Sequence, residues 1–263
     1  MLDEHLLAKA IASGGAGQVE NAIDQFNAII ASTDDPTEKA IITFNKSSLY
    51  SAHGNLGKAR EEPTRALSLA PNDPGTILMY EFGDACLCER EDKHEEFYEK
   101  LNSIQRGHPE LSTEPTLQFL YRDVRRMLGM ELARRGQHHD AIPLLRESLK
   151  FDLSPTEKCD VLCNLGTCYV DTHEYELAKD ILCEAIDSGL DQVWAVAARC
   201  YLGICYYHLG RFSESKNEFL FCEAAGGGLG APLSSIYEWL RDVCSALGQL
   251  AESGKYARLS KPV

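Results

Sequence analysis

An all-α fold built by repetition, an α-solenoid, is what this sequence predicts, on three observations. Residues 162–219 contain one helical hairpin written twice: an offset of 37 lays Cys163 on Cys200, Leu165-Gly166 on Leu202-Gly203, Cys168-Tyr169 on Cys205-Tyr206, Tyr175 on Phe212 and Leu182 on Phe219. A third copy of the Leu-Gly pair, Leu128-Gly129, precedes Leu165-Gly166 by the same 37 positions. Elsewhere apolar residues recur at the helical period between turns marked by Gly and Pro, as in Ala22, Phe26 and Ile30. A fixed period of a few tens of residues is the sequence mark of units that bury their apolar faces against one another.

Within each unit Leu-Gly is followed three residues later by Tyr, then by a small residue and a large apolar one on the next helix. The sets are Leu165, Gly166, Tyr169, Ala178, Leu182 and Leu202, Gly203, Tyr206, Ser215, Phe219. Gly facing Ala or Ser lets two helix axes approach, while the large residues fill the space beside the contact. This pattern closely resembles the tetratricopeptide repeat (TPR), whose first helix carries Leu-Gly-x-x-Tyr and whose second carries Ala-x-x-x-Phe. The resemblance implies a right-handed superhelix of about six hairpins plus a C-terminal capping helix, acting as a non-enzymatic scaffold or adaptor for a protein or peptide. The same resemblance implies a tetratricopeptide-like helical solenoid whose role is protein binding in the cytoplasm.

In order, the repeats fall at about 1–35, 36–73, 74–110, 116–154, 155–191 and 192–225, as one solenoid over 1–263. The first is degenerate, with a helix from Leu2 to about Ser13, a turn at Gly14-Gly15-Ala16-Gly17, and a second helix from Val19 to about Ala31. In the second, Lys46 stands at the usual Leu place, and Pro63 stands where the large apolar residue of the second helix belongs. A proline inside a helix costs about 3 kcal/mol, so a kinked or late-starting helix is expected there. The third repeat lacks the usual letters but shows Phe97, Leu101 and Ile104 on one face. The 108–115 segment, with two prolines, stretches the repeat spacing and is a candidate hinge. After the Gly226-Gly227-Gly228 run, a capping helix at 232–249 shows Ile236, Tyr237, Leu240, Val243, Cys244 and Leu247 on one face, and a short tail to 263 carries a partial second helix.

Composition narrows the function classes. Hydrophobic residues at 44% and charged ones at 25% are ordinary for a folded chain, so wholesale disorder is excluded. A net charge of −14 repels phosphate backbones and anionic lipid, which argues against nucleic acid and membrane partners. Asp3 and Glu4 stand where a secretory signal needs positive charge, and the expected location is cytoplasmic.

Ten cysteines require a choice between disulfides, metal and packing. Cys168 and Cys205 fall where the TPR family places a small buried Ala, and Cys222 matches Ala185, so these three read as packing residues. Cys159 and Cys163, four apart on one helix, with Cys200 equivalent to Cys163, line a conceivable thiol patch on the surface and groove; a metal- or thiol-dependent protein is the lesser alternative. Cys86-x-Cys88 has the wrong spacing for a zinc or redox pair. His138-His139-Asp140 contains metal-ligand types but sits in an interhelix turn, near the places of His53, His173 and His208, where a helix C-terminus favours partial positive charge. No metal, no cofactor and no catalytic motif is read here, and the chain is expected not to be an enzyme.

What remains is the groove. In TPR arrays the first helix of each pair makes the inner, concave wall, and the resemblance places on it Phe82, Cys86, Glu89 and Arg90, then Arg126, Met130, Ala133 and Arg134. Cys163, Thr167, Val170 and Asp171 follow, then Cys200, Ile204, Tyr207 and His208. The partner-binding set is taken as Phe82, Arg90, Arg126, Met130, Arg134, Cys163, Thr167, Cys200, Ile204, Tyr207 and His208. Phe, Met, Ile and Tyr offer area for an apolar anchor; Arg126 and Arg134 offer donors for an acidic or carboxylate-bearing partner segment. The carboxylate clamp of some chaperone-binding TPR proteins uses Lys and Asn on the first helix, and here those places hold Leu7 and Ile11. A peptide-sensing regulator is the second reading of the same groove.

Overall fold

The computed structural model describes residues 4–108, 118–189, 192–228 and 232–260. These form fourteen α-helices: α1 (Glu4–Gly15), α2 (Val19–Ser32), α3 (Pro36–Ala52), α4 (Leu56–Leu69), α5 (Pro74–Arg90), α6 (His94–Gly107), α7 (Gln118–Arg134), α8 (His138–Ser148), α9 (Pro155–Asp171), α10 (Tyr175–Asp187), α11 (Gln192–His208), α12 (Phe212–Ala224), α13 (Leu233–Ala246) and α14 (Leu250–Leu259). The fold is all-α, with the helices paired as hairpins in solenoid-like packing. The candidate hinge at 108–115 lies, apart from His108, outside the described residues. The chain divides into two compact units, 1–124 and 125–263, with the boundary inside α7.

In the first unit the helix starts are written locally. Asp35 accepts from the backbone N–H of Thr37 and Glu38 ahead of Pro36, and Asp73 accepts from Thr76 N–H ahead of Pro74. Each carboxylate satisfies orphan donors of a first turn whose leading proline has no N–H to lose. The first turn of the chain differs from expectation: Gly14 and Gly15 belong to α1, and the left-handed residue that turns the chain is Gly17, at φ 79°. Gly14 packs closely against α3: a Cβ there would stand 2.7 Å from Leu49 Cδ1, so the leucine would have to shift.

Proline does not delay α4, which begins at Leu56 and runs through a buried Pro63 to Leu69. Pro63 has no N–H for the carbonyl of Ala59, four residues earlier. The Ser47 hydroxyl on α3 donates to that carbonyl at 2.7 Å, replacing the missing ladder bond. Next to it, Lys46 is buried and pairs with Glu62 at 3.1 Å, so the position that should carry Leu holds a charge with its partner on the facing helix.

The second unit repeats one contact. A Cβ on Gly129 would meet Leu145 at 2.9 Å, on Gly166 Leu182 at 2.6 Å, and on Gly203 the Phe219 ring at 2.9 Å, each large residue lying sixteen positions after its glycine. Ala141, Ala178 and Ser215 are fully buried beside these contacts, and Ser215 donates to the Gly203 carbonyl at 2.8 Å. Helix α9 starts with a reciprocal cap between Ser154 and Glu157. The sequence reading passed over Pro143, which lies inside α8 on an exposed face.

Past the glycine run, Gly226 and Gly227 are left-handed, and α13 buries Ile236, Leu240, Val243 and Cys244. The second helix expected in the tail, α14, packs against it, with Tyr256 buried and its hydroxyl donating to Glu223 at 3.1 Å.

Candidate binding groove

In the second unit the first helices of successive pairs, α9, α11 and α13, contact one another in turn. Their half-buried and exposed side chains, with Met130 of α7, form the candidate surface. Met130, Thr167, Ile204 and Tyr207 are half-buried, and Asp171 and His208 are exposed. Thr167 turns its hydroxyl back onto the Cys163 carbonyl at 3.0 Å, leaving its methyl as the outward chemistry.

Cys163 and Cys200 are buried, at 6% and 7% exposure, and so is Cys159; the thiols lie in the interhelix packing and do not form a surface patch. Burial also pushes the thiols of Cys168 and Cys205 up to about 12, the behaviour of inert packing residues. In the first unit Phe82 is buried at 7%, whereas Arg90 is exposed and, with Glu89 and Asp92, lines an open cleft of about 420 Å³.

The two arginines of α7 already hold carboxylates. Arg134 forks onto Glu131 at 2.9 and 2.6 Å, and Arg135 adds a third bond to Glu131 at 2.8 Å. Burial works to raise the Glu131 carboxyl, yet the bonds from Arg134 and Arg135 outweigh it and keep the group below the usual carboxylate range. Arg126 lies 3.5 Å from Glu157 and 4.0 Å from Met130 Sδ.

Sequence reasoning missed the ring system around Tyr207. Tyr175 stacks on His208 with ring centres 4.3 Å apart, and Tyr207 meets His208, Phe212 and Trp239 edge-on at 5.5, 5.5 and 5.4 Å. Trp239 in turn stacks on Phe219 at 5.7 Å. His173, left-handed at φ 64°, places Nδ1 2.8 Å from the Tyr175 hydroxyl. Partial desolvation of the ring against Tyr175, Tyr207 and Trp239, reinforced by the nearby His173, holds the His208 imidazole below its ordinary pKa although the residue as a whole stays exposed. His138, in the interhelix turn where no metal site was expected, lies 3.3 Å from Asp171 on the next pair. Among the described residues no group of three or more His, Cys, Asp or Glu is placed to hold a metal ion, and no helix is long and apolar enough to cross a membrane.

The tetratricopeptide repeat profile matches residues 160–188, which covers α10 and most of α9. No curated protein matches the chain. Among solved structures the chain is similar to the apo form of RapI, at 13% identity and TM-score 0.62 over 99% of this chain and 76% of that one. It is also similar to the signal-transduction ATPase with numerous domains PH0952 from Pyrococcus horikoshii, which has a tetratricopeptide repeat sensor, at 17% identity and TM-score 0.63; 97% of this chain matches 41% of that one. YrrB, described as a TPR protein with an unusual peptide-binding site, matches at 16% identity and TM-score 0.51 over 85% and 96% of the two chains. At these identities the likeness establishes the fold: a TPR-like all-helical repeat protein.

Proposed function

We propose that the chain is a non-enzymatic binding module that takes an extended or helical segment of a partner protein or peptide on the first-helix face of its repeats. The observation that carries this is the Tyr207 cluster. An aromatic anchor braced by Phe212, Trp239 and His208 presents large, rigid, partly exposed area at little entropic cost. Met130 and Ile204 extend the apolar lining. The peptide-binding site described for YrrB, a protein of similar fold, supports the same reading.

An acidic or carboxylate-bearing partner segment is the proposed electrostatic complement. In the first unit Arg90, exposed in its cleft, meets such a group directly; in the second unit, taken by itself, Arg126 and Arg134 engage one by exchange with Glu157 and Glu131. Cytoplasmic location belongs to this proposal as well. The second reading, a peptide-sensing regulator, is favoured by the repeat sensor of PH0952 and uses the same face.

The test is capture of partners by the wild-type protein, followed by surface plasmon resonance at two salt concentrations. Tyr207→Ala should speed dissociation, Arg90→Glu should slow association with a marked salt dependence, and Lys150→Glu, at an exposed residue paired with Glu147, should bind as wild type. Loss of binding in Lys150→Glu with Tyr207→Ala unaffected would move the site to the other face.

A further inference from the structure

Three rings of the second unit stand nearly at right angles to one another. Tyr207 on α11 meets His208 at 88° and Trp239 of α13 at 67°, and His208 meets Trp239 at 74°, with ring centres 5.5, 5.4 and 6.2 Å apart. Each ring is braced from behind. Trp239 stacks at 5.7 Å on Phe219, which is fully buried. His208 stacks at 4.3 Å on Tyr175, whose hydroxyl is tied to His173 Nδ1 at 2.8 Å, and Tyr207 leans on Phe212. The rings are therefore fixed before a ligand arrives, and a partner pays little to order them. In the fifth pair the places of Tyr207 and His208 hold Val170 and Asp171, so this ring surface belongs to the sixth pair and not to the repeat template.

The polar atoms at this surface select the ligand. Tyr207 and Trp239 are half-buried, and among the described residues neither the Tyr207 hydroxyl nor the Trp239 indole N–H has a hydrogen-bond partner, while neither atom is sealed from solvent. The indole N–H only donates, and the phenol hydroxyl has a proton to give. A ligand that covers them without supplying acceptors leaves two donors dry, at the full cost of their desolvation. The same ligand should bring few N–H groups, because the carbonyls of the helices beneath are spent on their own ladders. A helical segment fails the first condition, since its carbonyls are engaged internally, and an ordinary extended segment fails the second, with an N–H at every residue. A proline-rich segment in polyproline II conformation meets both: its carbonyls are free, proline has no N–H, and its rings pack on aromatic faces.

We propose that the Tyr207, His208 and Trp239 surface takes a proline-rich segment of the partner as a polyproline II helix, with the Tyr207 hydroxyl and the Trp239 N–H donating to its carbonyls. This assignment rests on the first-helix face being the binding surface, as in the proposed function, and narrows the ligand there to one class. Both sides of the contact are stiff before they meet, so little ordering entropy is lost on either.

The probes are decaproline, a flexible Gly–Ser peptide of the same length and a helical Ala-rich peptide, each added to the full chain. Its two tryptophans are Trp194 and Trp239, so Trp194→Phe makes the emission report on Trp239 alone. Decaproline should shift that emission saturably, with Kd on the order of 0.1–1 mM, and the other two peptides should bind at least about tenfold more weakly. In this background Tyr207→Phe, which keeps the ring and drops the donor, should melt as the parent and bind decaproline about two- to tenfold more weakly. Lys150→Glu should leave decaproline binding unchanged. No saturable shift, an equal response to all three peptides, or a preference for the helical one overturns the proline assignment, and unchanged affinity in Tyr207→Phe overturns the hydrogen-bonded pose. If decaproline fails while a captured partner still dissociates faster from Tyr207→Ala, only this assignment falls. A partner indifferent to Tyr207→Ala removes the groove reading and the assignment with it.

Discussion

Gly166 and Leu182 are in contact so close that a Cβ on the glycine would stand 2.6 Å from Leu182 Cδ2 and 2.7 Å from its Cγ. Leu182 is fully buried and cannot swing aside. Gly166→Ala is therefore expected to destabilise by about 1–3 kcal/mol through overpacking, despite the roughly 1 kcal/mol that Ala gains over Gly inside a helix. Gly254, inside α14 with nothing within 4 Å of its Cβ position, is the control. Gly254→Ala should stabilise by about 0.5–1 kcal/mol. Thermal and urea unfolding of the two variants should shift in opposite directions; equal shifts would mean that helix propensity decides both.

Ser47 and Pro63 form a second test, because the hydroxyl of one replaces the N–H the other lacks. Ser47→Ala leaves the buried Ala59 carbonyl without that donor, at a cost of about 1–3 kcal/mol. In a Pro63→Ala background the backbone N–H returns and the same substitution should cost less than about 1 kcal/mol. A double-mutant cycle in urea measures the coupling, and additive effects would separate the serine from the proline.

The periodic parts of this fold were readable from the sequence, since a contact repeated every 37 residues shows itself as letters, Gly129, Gly166 and Gly203 opposite Leu145, Leu182 and Phe219. What the sequence concealed arises from single contacts across helices. Pro63 predicts a kinked or late-starting helix, and the helix starts on time with Ser47 of the neighbouring one supplying the lost bond, while Arg134 looks available until Glu131, three residues earlier, is found in its fork. Cys163 and Cys200 sit at the edge of the inner-wall stripe, where a small rotation decides between groove and core, and the structure puts them in the core. The rings of Tyr175 and Trp239 come from the second helix of one pair and the first helix of another, so no linear motif joins them to Tyr207 and His208.

His208 makes stability depend on pH in a direction fixed by its surroundings. Its ring stacks on Tyr175, meets Tyr207 and Trp239 edge-on, and faces the titratable His173, so folding favours the neutral imidazole. The folded chain binds fewer protons at this site than the unfolded chain. The contribution is complete above the unfolded value of about 6.5 and is lost as pH falls through that value toward the lower folded one. His208→Phe keeps a stacking ring and has nothing to protonate. Between pH 7.5 and 5.5 the wild type should lose more stability in urea titrations than this variant; parallel losses would assign the pH response to other groups.

Lys46 and Glu62 carry the largest expected single-residue effect. The pair is buried at 3.1 Å between α3 and α4, and Glu62 Oε2 has no hydrogen-bond partner among the described residues, so the carboxylate depends on one ammonium there for compensation. Lys46→Leu restores the letter that the repeat pattern wants but strands a buried carboxylate, and is expected to cost about 3–5 kcal/mol. Replacing both, with Lys46→Leu and Glu62→Leu, removes the desolvation of two charges and should return stability to wild type or exceed it by about 1–4 kcal/mol. Chemical unfolding of the three proteins at pH 7 measures both steps. If the single substitution is tolerated, water reaches Glu62 and the pair is not sealed. If the double variant remains as unstable as the single one, the charges fix the register of α3 on α4, and the ion pair is there for specificity of packing rather than for its own free energy.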